Sequence, residues 1–260
     1  MEYIMTRLQK AFSQDKKLLS IYFTAGYPGL DDTAFIISEL EKNGVDMIEI
    51  GLPFSDPLAD GPVIQNSSAV AIDNGMTARL LFGQLQHIRK HVNIPLVIMG
   101  YFNPILQFGV EEFCRQCQIC GIDGLIIPDL PADTYESEYK NVFQKYNLAN
   151  IFLITRQTSD SRIRYIDAIS NSFIYLVSSS AITGSQNTVS EEQQQYFERI
   201  AQMKLRNPVV VGFGIHDKPS FEVATGQAAG AIIGSAFIKH LAENGLNSIA
   251  TFISQFTKTF

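Results

Sequence analysis

The sequence predicts an α/β protein whose eight parallel strands close into a barrel, and three observations lead to it. Short apolar runs recur at even spacing along the 260 residues, they lack the polar/apolar alternation of half-exposed strands, and helical patterns lie between them. Strands that are apolar on both faces belong to a sheet covered on both sides, and alternation with helices makes that sheet parallel. A doubly wound open sheet meets the same criteria, but the even spacing without a second compositional region favours closure. The expectation is therefore a TIM (β/α)8 barrel, one domain over residues 1–260, with an additional N-terminal helix and short extra helices.

Residues 1–14 read as an amphipathic helix with Ile4, Leu8 and Phe12 spaced by four, placed to close the N-terminal end of the barrel. LLSIYF (18–23) is the first strand. Asp31 and Asp32 then open a helix through TAFIISELEKNG, where Phe35, Ile36 and Leu40 form the apolar stripe and Gly44 the C-cap. The second strand, MIEIGL (47–52), leads to a helix at 77–91, and the third, PLVIMGY (95–101), to one at 111–121. GLIIPDL (124–130) precedes a helix at 133–147, NIFLI (150–154) one at 160–170, and FIYLV (173–177) one at 190–204. PVVVGFG (208–214) precedes a helix at 218–226, and GAIIGSA (230–236) leads through a short helix starting near Ser235 to a closing helix at 246–256.

Composition narrows the function. Twenty Lys and Arg against 26 Asp and Glu, net charge −6, with no long run of either sign, argue against a grip on nucleic acid. Three cysteines in a chain that opens MEYIMTRLQK, without the apolar centre of a signal peptide, predict a cytoplasmic protein. No apolar stretch approaches the roughly 20 residues of a membrane span, so no membrane role is expected.

In a closed barrel the loops after the strands carry the chemistry, so polar residues at strand C-terminal ends are the candidates. Glu49 interrupts the second strand. If its side chain points inward, burial without a partner raises its pKa and makes it a proton donor; the alternative is a carboxylate bonded to a neighbouring polar group. Asp56 and Asp60 follow in the same stretch, beside Pro and Gly, where acidic residues also serve turns. Gly212, Phe213 and Gly214 on one strand end, and Gly234 and Ser235 on the next, bring small residues to a corner where free backbone amides and a helix N-terminus receive a phosphate; close packing is the alternative. The stretch from Tyr175 through Ser178, Thr183 and Gly184 has the small polar composition of a closing loop, and Tyr175 is either core or ligand contact.

Cys114, Cys117 and Cys120 lack the fourth cysteine of an iron–sulfur set and fall within a helix, and His87, His91, His216 and His240 show no ligand spacing, so no metal is expected. No P-loop, dinucleotide fingerprint or obvious Schiff-base lysine appears.

MIEIGLPFSDPLADGPVIQ, with YFTAGYP (22–28), GYFNPI (100–105), IIPDLP (126–131), AITG (181–184), VGFGI (211–215) and GSAFIK (234–239), resembles the tryptophan synthase alpha-chain family over essentially the whole chain. That resemblance implies cleavage of indole-3-glycerol phosphate into indole and glyceraldehyde 3-phosphate. It implies no cofactor in this chain, and a beta chain carrying pyridoxal phosphate as partner in an α2β2 tetramer. It casts Glu49 as general acid/base, Asp60 as the carboxylate facing the indole nitrogen, and Tyr175 as their support. Phe23, Ile64, Tyr101, Ile127 and Thr183 fall at the substrate; Gly184, Phe213, Gly214, Gly234 and Ser235 at its phosphate; Pro53, Asp56, Asn103 and Pro104 at the beta-chain surface. Two segments depart from the family pattern: Thr155-Arg156-Gln157 replaces Ala-Pro-Thr, and Ser178-Ser179-Ser180-Ala181 replaces Ser-Arg-x-Gly. Losing the loop arginine removes a charged donor, so loop timing or beta-chain signalling is expected to differ. Another phosphate-binding barrel enzyme, such as an indole-glycerol-phosphate synthase or a phosphoribosyl isomerase, shares the strands and glycines but not the Glu49-to-Gln65 signature.

Overall fold

The computed structural model describes residues 5–57, 60–178, 191–212 and 214–257. After α1 (Arg7–Phe12), β1 (Leu18–Thr24), α2 (Thr33–Lys42) and β2 (Met47–Gly51) start the alternation. Next come α3 (Pro62–Asp73), α4 (Ala78–Leu85), β3 (Leu96–Met99), α5 (Phe102–Phe108), α6 (Val110–Cys120) and β4 (Gly124–Ile126). The chain continues through α7 (Ala132–Thr134), a π-helical segment Tyr135–Tyr139, α8 (Lys140–Lys145), β5 (Ala149–Ile154), α9 (Asp160–Ile169) and β6 (Ile174–Val177). It ends with α10 (Glu191–Gln202), β7 (Val209–Gly212), α11 (Lys218–Thr225), β8 (Gly230–Ile233), α12 (Ser235–Asn244) and α13 (Ile249–Thr257). The strands pair in sequence order, all parallel, and β8 closes on β1.

Register fixes which side chains enter the barrel, because residues paired across parallel strands share a face. Tyr22 pairs with Glu49, Glu49 with Val97, Val97 with Gly124 and Gly124 with Ala149. The Tyr22 ring packs on Gly51 and Gly234, so this row faces inward, and the intervening Ile21, Phe23, Ile48 and Ile50 face the helices. Both sets are buried, which is why the strands read as unbroken apolar runs.

Several elements differ from expectation for identifiable reasons. α3 and α5 lie in stretches that carry no clear apolar stripe: the buried face of α3 is Ile64, Ser67, Ser68 and Ala71, half of it hydroxyl. The predicted 77–91 helix ends at Leu85, followed by a 3₁₀ turn at Ile88–Lys90, and the predicted 124–130 strand pairs only through Ile126. Of the N-terminal stripe, Leu8 is buried and Phe12 packs on Phe173, ring centroids 5.6 Å apart; Ile4 lies outside the described residues.

Opposite the cavity described below, Arg89 gathers the base of the barrel. Its guanidinium donates to the carbonyls of Gly121 (2.7 Å) and Ile94 (2.6 Å) and to Asp123 Oδ2 (2.6 Å), whose carboxylate also accepts the Leu96 N–H at 2.9 Å and Arg7 at 2.9 Å. Burial pulls the guanidinium pKa down to about 10 against the opposing pull of Asp123. Arg89→Ala leaves these acceptors without their donor and is expected to cost about 3 kcal/mol, read as a lower midpoint in urea unfolding with the slope unchanged.

Candidate active site

At the C-terminal ends of the strands a cavity of about 600 Å³ opens, walled by Asp60 and Ile64 on one side, Tyr22 and Tyr175 across the floor, and Gly214, Gly234 and Ser235 on the other side. A narrow extension runs between Phe54, Tyr101 and Pro128, with Tyr22, Asp60 and Met99 shared by both spaces.

Glu49 sits in the inward row beside Tyr22, wholly buried, and neither carboxylate oxygen has a hydrogen-bond partner. Desolvation therefore lifts its pKa to about 8, so the carboxyl holds its proton at neutral pH. Of the two readings of this residue, the bonded carboxylate is excluded in this structure. Burial, and the Glu49 carboxylate once it ionises at higher pH, both raise the phenol pKa values of Tyr22 and Tyr175.

Asp60 reaches the cavity from the loop before α3 and accepts a hydrogen bond from the Tyr101 hydroxyl at 3.2 Å. Gln65 Nε2 fixes the Asp60 carbonyl at 2.8 Å. Partial burial raises the Asp60 pKa, and the Tyr101 hydrogen bond pulls it back down. The site thus holds two unlike carboxyl groups, one sealed and unbonded, one at the cavity with a donor.

Tyr175 is buried, and its hydroxyl occupies a slot that exists because Gly212 has no side chain: a Cβ there would overlap the phenol. Tyr22 uses Gly51 in the same way. Gly212→Ala drives the Tyr175 ring out of its slot and is expected to destabilise the fold by about 1–3 kcal/mol, measurable by chemical denaturation.

The glycine corner combines a left-handed Gly214 (φ 74°) with the start of α12, where Gly234 supplies no side-chain cap. The first N–H groups of α12 thus remain open to an anion. Thr183, Gly184 and Phe213 lie outside the described residues, as do Ser179, Ser180 and Ala181.

Two positions expected at the substrate are corrected. Phe23 is one residue out of phase with Tyr22, fully buried towards the helices, and Tyr22 takes the place expected for it. Ile127 follows the inward Ile126 and is buried on the other side; the next residue, Pro128, lines the extension. Neither Phe23 nor Ile127 lines either space among the described residues. Lys239 and His216 line the cavity and were not anticipated, since an exposed lysine on an amphipathic helix carries no signal of its own.

Pro53, Asp56, Asn103 and Pro104 stand on the rim: Asp56 and Asn103 are exposed, Pro53 and Pro104 half-buried. The Phe54 and Tyr101 rings, 5.1 Å apart, join the loop after β2 to the start of α5 beside that rim. The departure at Thr155-Arg156-Gln157 is tied to α10: Arg156 pairs with Glu192, and Arg199 donates to the carbonyls of Arg156 (3.1 Å) and Thr158 (2.7 Å). Cys114, Cys117 and Cys120 are buried core thiols, and burial raises their pKa values. Among the described residues no group of His, Cys, Asp or Glu is arranged to hold a metal ion, and no helix is long and apolar enough to cross a membrane.

The family model described as "Tryptophan synthase alpha chain" matches residues 8–258. The tryptophan synthase alpha chain of Flavobacterium johnsoniae is 62% identical over 251 residues, 96% of this chain and 99% of that one. That of Flavobacterium psychrophilum is likewise 62% identical, over 96% and 99%. Among solved structures, the tryptophan synthase subunit alpha of Legionella pneumophila superposes with a TM-score of 0.87 at 30% identity, covering 97% of each chain.

Proposed function

Because the chain belongs to the tryptophan synthase alpha chain family, we propose that it splits indole-3-glycerol phosphate into indole and glyceraldehyde 3-phosphate by a retro-aldol reaction. The observation that carries this reading is the sealed, unbonded Glu49 carboxyl, paired in register with Tyr22, which together with Asp60 lines the cavity. Lyase activity in tryptophan biosynthesis is the family's function; the steps below are what these residues offer it.

The reaction needs a proton on C3 of the ring, and Glu49, still protonated near pH 7, is the donor. Protonation leaves positive charge at the ring nitrogen, which an ionised Asp60 stabilises; Tyr101 holds that carboxylate in place. Loss of the C3′-hydroxyl proton to Glu49 forms the aldehyde as the C3–C3′ bond breaks. The bonding electrons return to the ring and discharge the nitrogen. The proton given to C3 stays there, and the hydroxyl proton restores Glu49, so the residue ends as it began. Glu49 is wholly buried beside Tyr22, whose side chain lines the cavity, so its carboxyl must reorient towards the cavity to reach C3. Tyr175 supports the cavity floor, Ile64 and Tyr101 flank the indole, and the amides at Gly214, Gly234 and Ser235 take the phosphate.

None of these steps calls for a cofactor in this chain. The rim at Pro53, Asp56, Asn103 and Pro104 is the proposed seat of a beta chain carrying pyridoxal phosphate in an α2β2 tetramer, to which indole passes. Purified chain incubated with indole-3-glycerol phosphate is expected to release indole and triose phosphate in equal amounts, with faster turnover when beta chain and serine are added. Release of any other product pair rejects the reading.

A further inference from the structure

The glycine corner presents backbone dipoles, but the substrate it is proposed to hold is a dianion entering a cavity that contains Asp60, in a chain of net charge −6. Lys239 is the one Lys or Arg among the described residues lining this cavity. It lies four residues after Ser235 on α12, so the two share a helix face. No carboxylate lies within ion-pair distance of it among the described residues, whereas Lys218, just beyond the same corner, already faces Glu222 at 4.0 Å. His216 does not compete for this role: its Nδ1 lies 3.1 Å from the Gly214 carbonyl and its Nε2 3.6 Å from Asp217 Oδ2, so both ring nitrogens are turned to their own loop.

We propose that Lys239 is the counter-charge for the substrate's phosphate, drawing the dianion onto the N-terminus of α12 and setting the affinity for phosphorylated over unphosphorylated substrate. This rests on the phosphate reading of the corner. The lysine is exposed on a flexible stem, so it acts as a point charge at the cavity mouth, screened by salt, while the helix amides supply direction. A charge placed this way works on binding and capture, not on bond breaking.

The test compares wild type, Lys239→Gln and Lys239→Arg with indole-3-glycerol phosphate at low and high ionic strength, and titrates each with inorganic phosphate by calorimetry. Lys239→Gln is expected to raise KM about five- to tenfold at low salt, with the loss on KM rather than kcat, to weaken phosphate binding, and to flatten the dependence of KM on salt. Lys239→Arg keeps the charge and stays near wild type. An unchanged KM and phosphate affinity in Lys239→Gln, or a loss equal at both salt concentrations, overturns the proposal. If wild type releases no indole the reaction assignment has failed, and the phosphate titration still decides the role of Lys239: weaker binding in Lys239→Gln supports it, and equal or undetectable binding overturns it.

Discussion

Glu49→Gln lowers the rate of indole formation by about 10³-fold or more, at the upper end of what a positioned acid/base contributes, while the barrel still folds. The substitution nearly keeps the volume of a side chain that is wholly buried without a hydrogen bond, and replaces its ionisable hydroxyl with an amide that cannot deliver a proton. The stability of the variant supplies an independent check. The folded carboxyl has a pKa of about 8 against an ordinary value of 4.5, so the folded state keeps a proton that the unfolded chain gives up. Below about pH 4.5 both states are protonated and the group is neutral to stability. Between 4.5 and 8 wild-type stability falls as pH rises, by at most about 5 kcal/mol at ~1.36 kcal/mol per pH unit, and above 8 the effect is complete. The amide of the variant does not titrate. The stability difference between variant and wild type, measured by urea unfolding across this range, therefore shifts in favour of Glu49→Gln with rising pH. A difference that stays flat from pH 5 to 8 contradicts a protonated Glu49.

Asp60→Asn lowers kcat by about 10²–10³-fold, the range seen when one aligned electrostatic group is lost from a site where charge develops. The amide retains an oxygen to accept from Tyr101, so the loop before α3 keeps its anchor and the melting temperature changes little. The missing element is the negative charge. Steady-state kinetics with thermal melting separates the two effects: a large fall in kcat with an unchanged melt supports a charge-stabilising role. A comparable loss of stability and activity assigns Asp60 to the loop instead.

The barrel was legible because its strands are apolar on both faces and evenly spaced, and Glu49 was legible because a carboxylate in such a run is out of place. That same uniformity hid side-chain direction. In LLSIYF nothing distinguishes an inward residue from an outward one, so the strand itself offered no check on the resemblance that placed Phe23 rather than Tyr22 at the site; the pairing of Tyr22 with Glu49 and the packing of its ring on Gly51 and Gly234 resolve the phase. α3 escaped notice because Ser67 and Ser68 sit on its buried face, where Thr24 Oγ1 lies 2.7 Å from Ser67 Oγ and Ser67 bonds the Ile64 carbonyl at 2.9 Å. The Ser67 hydroxyl is thus satisfied, so its burial does not require the apolar stripe that marks a helix in sequence. The slots at Gly51 and Gly212 were equally invisible, since a strand glycine reveals a close approach only when the approaching side chain is known.

The pH dependence of indole-3-glycerol phosphate cleavage tests most directly whether a sealed, protonated Glu49 drives the chemistry. With indole release followed from pH 6 to 9.5, kcat/KM is expected to fall through about pH 8 with the slope of a single proton, as the buried acid is lost. A rate that stays level to pH 9.5, in protein shown to remain folded, contradicts it.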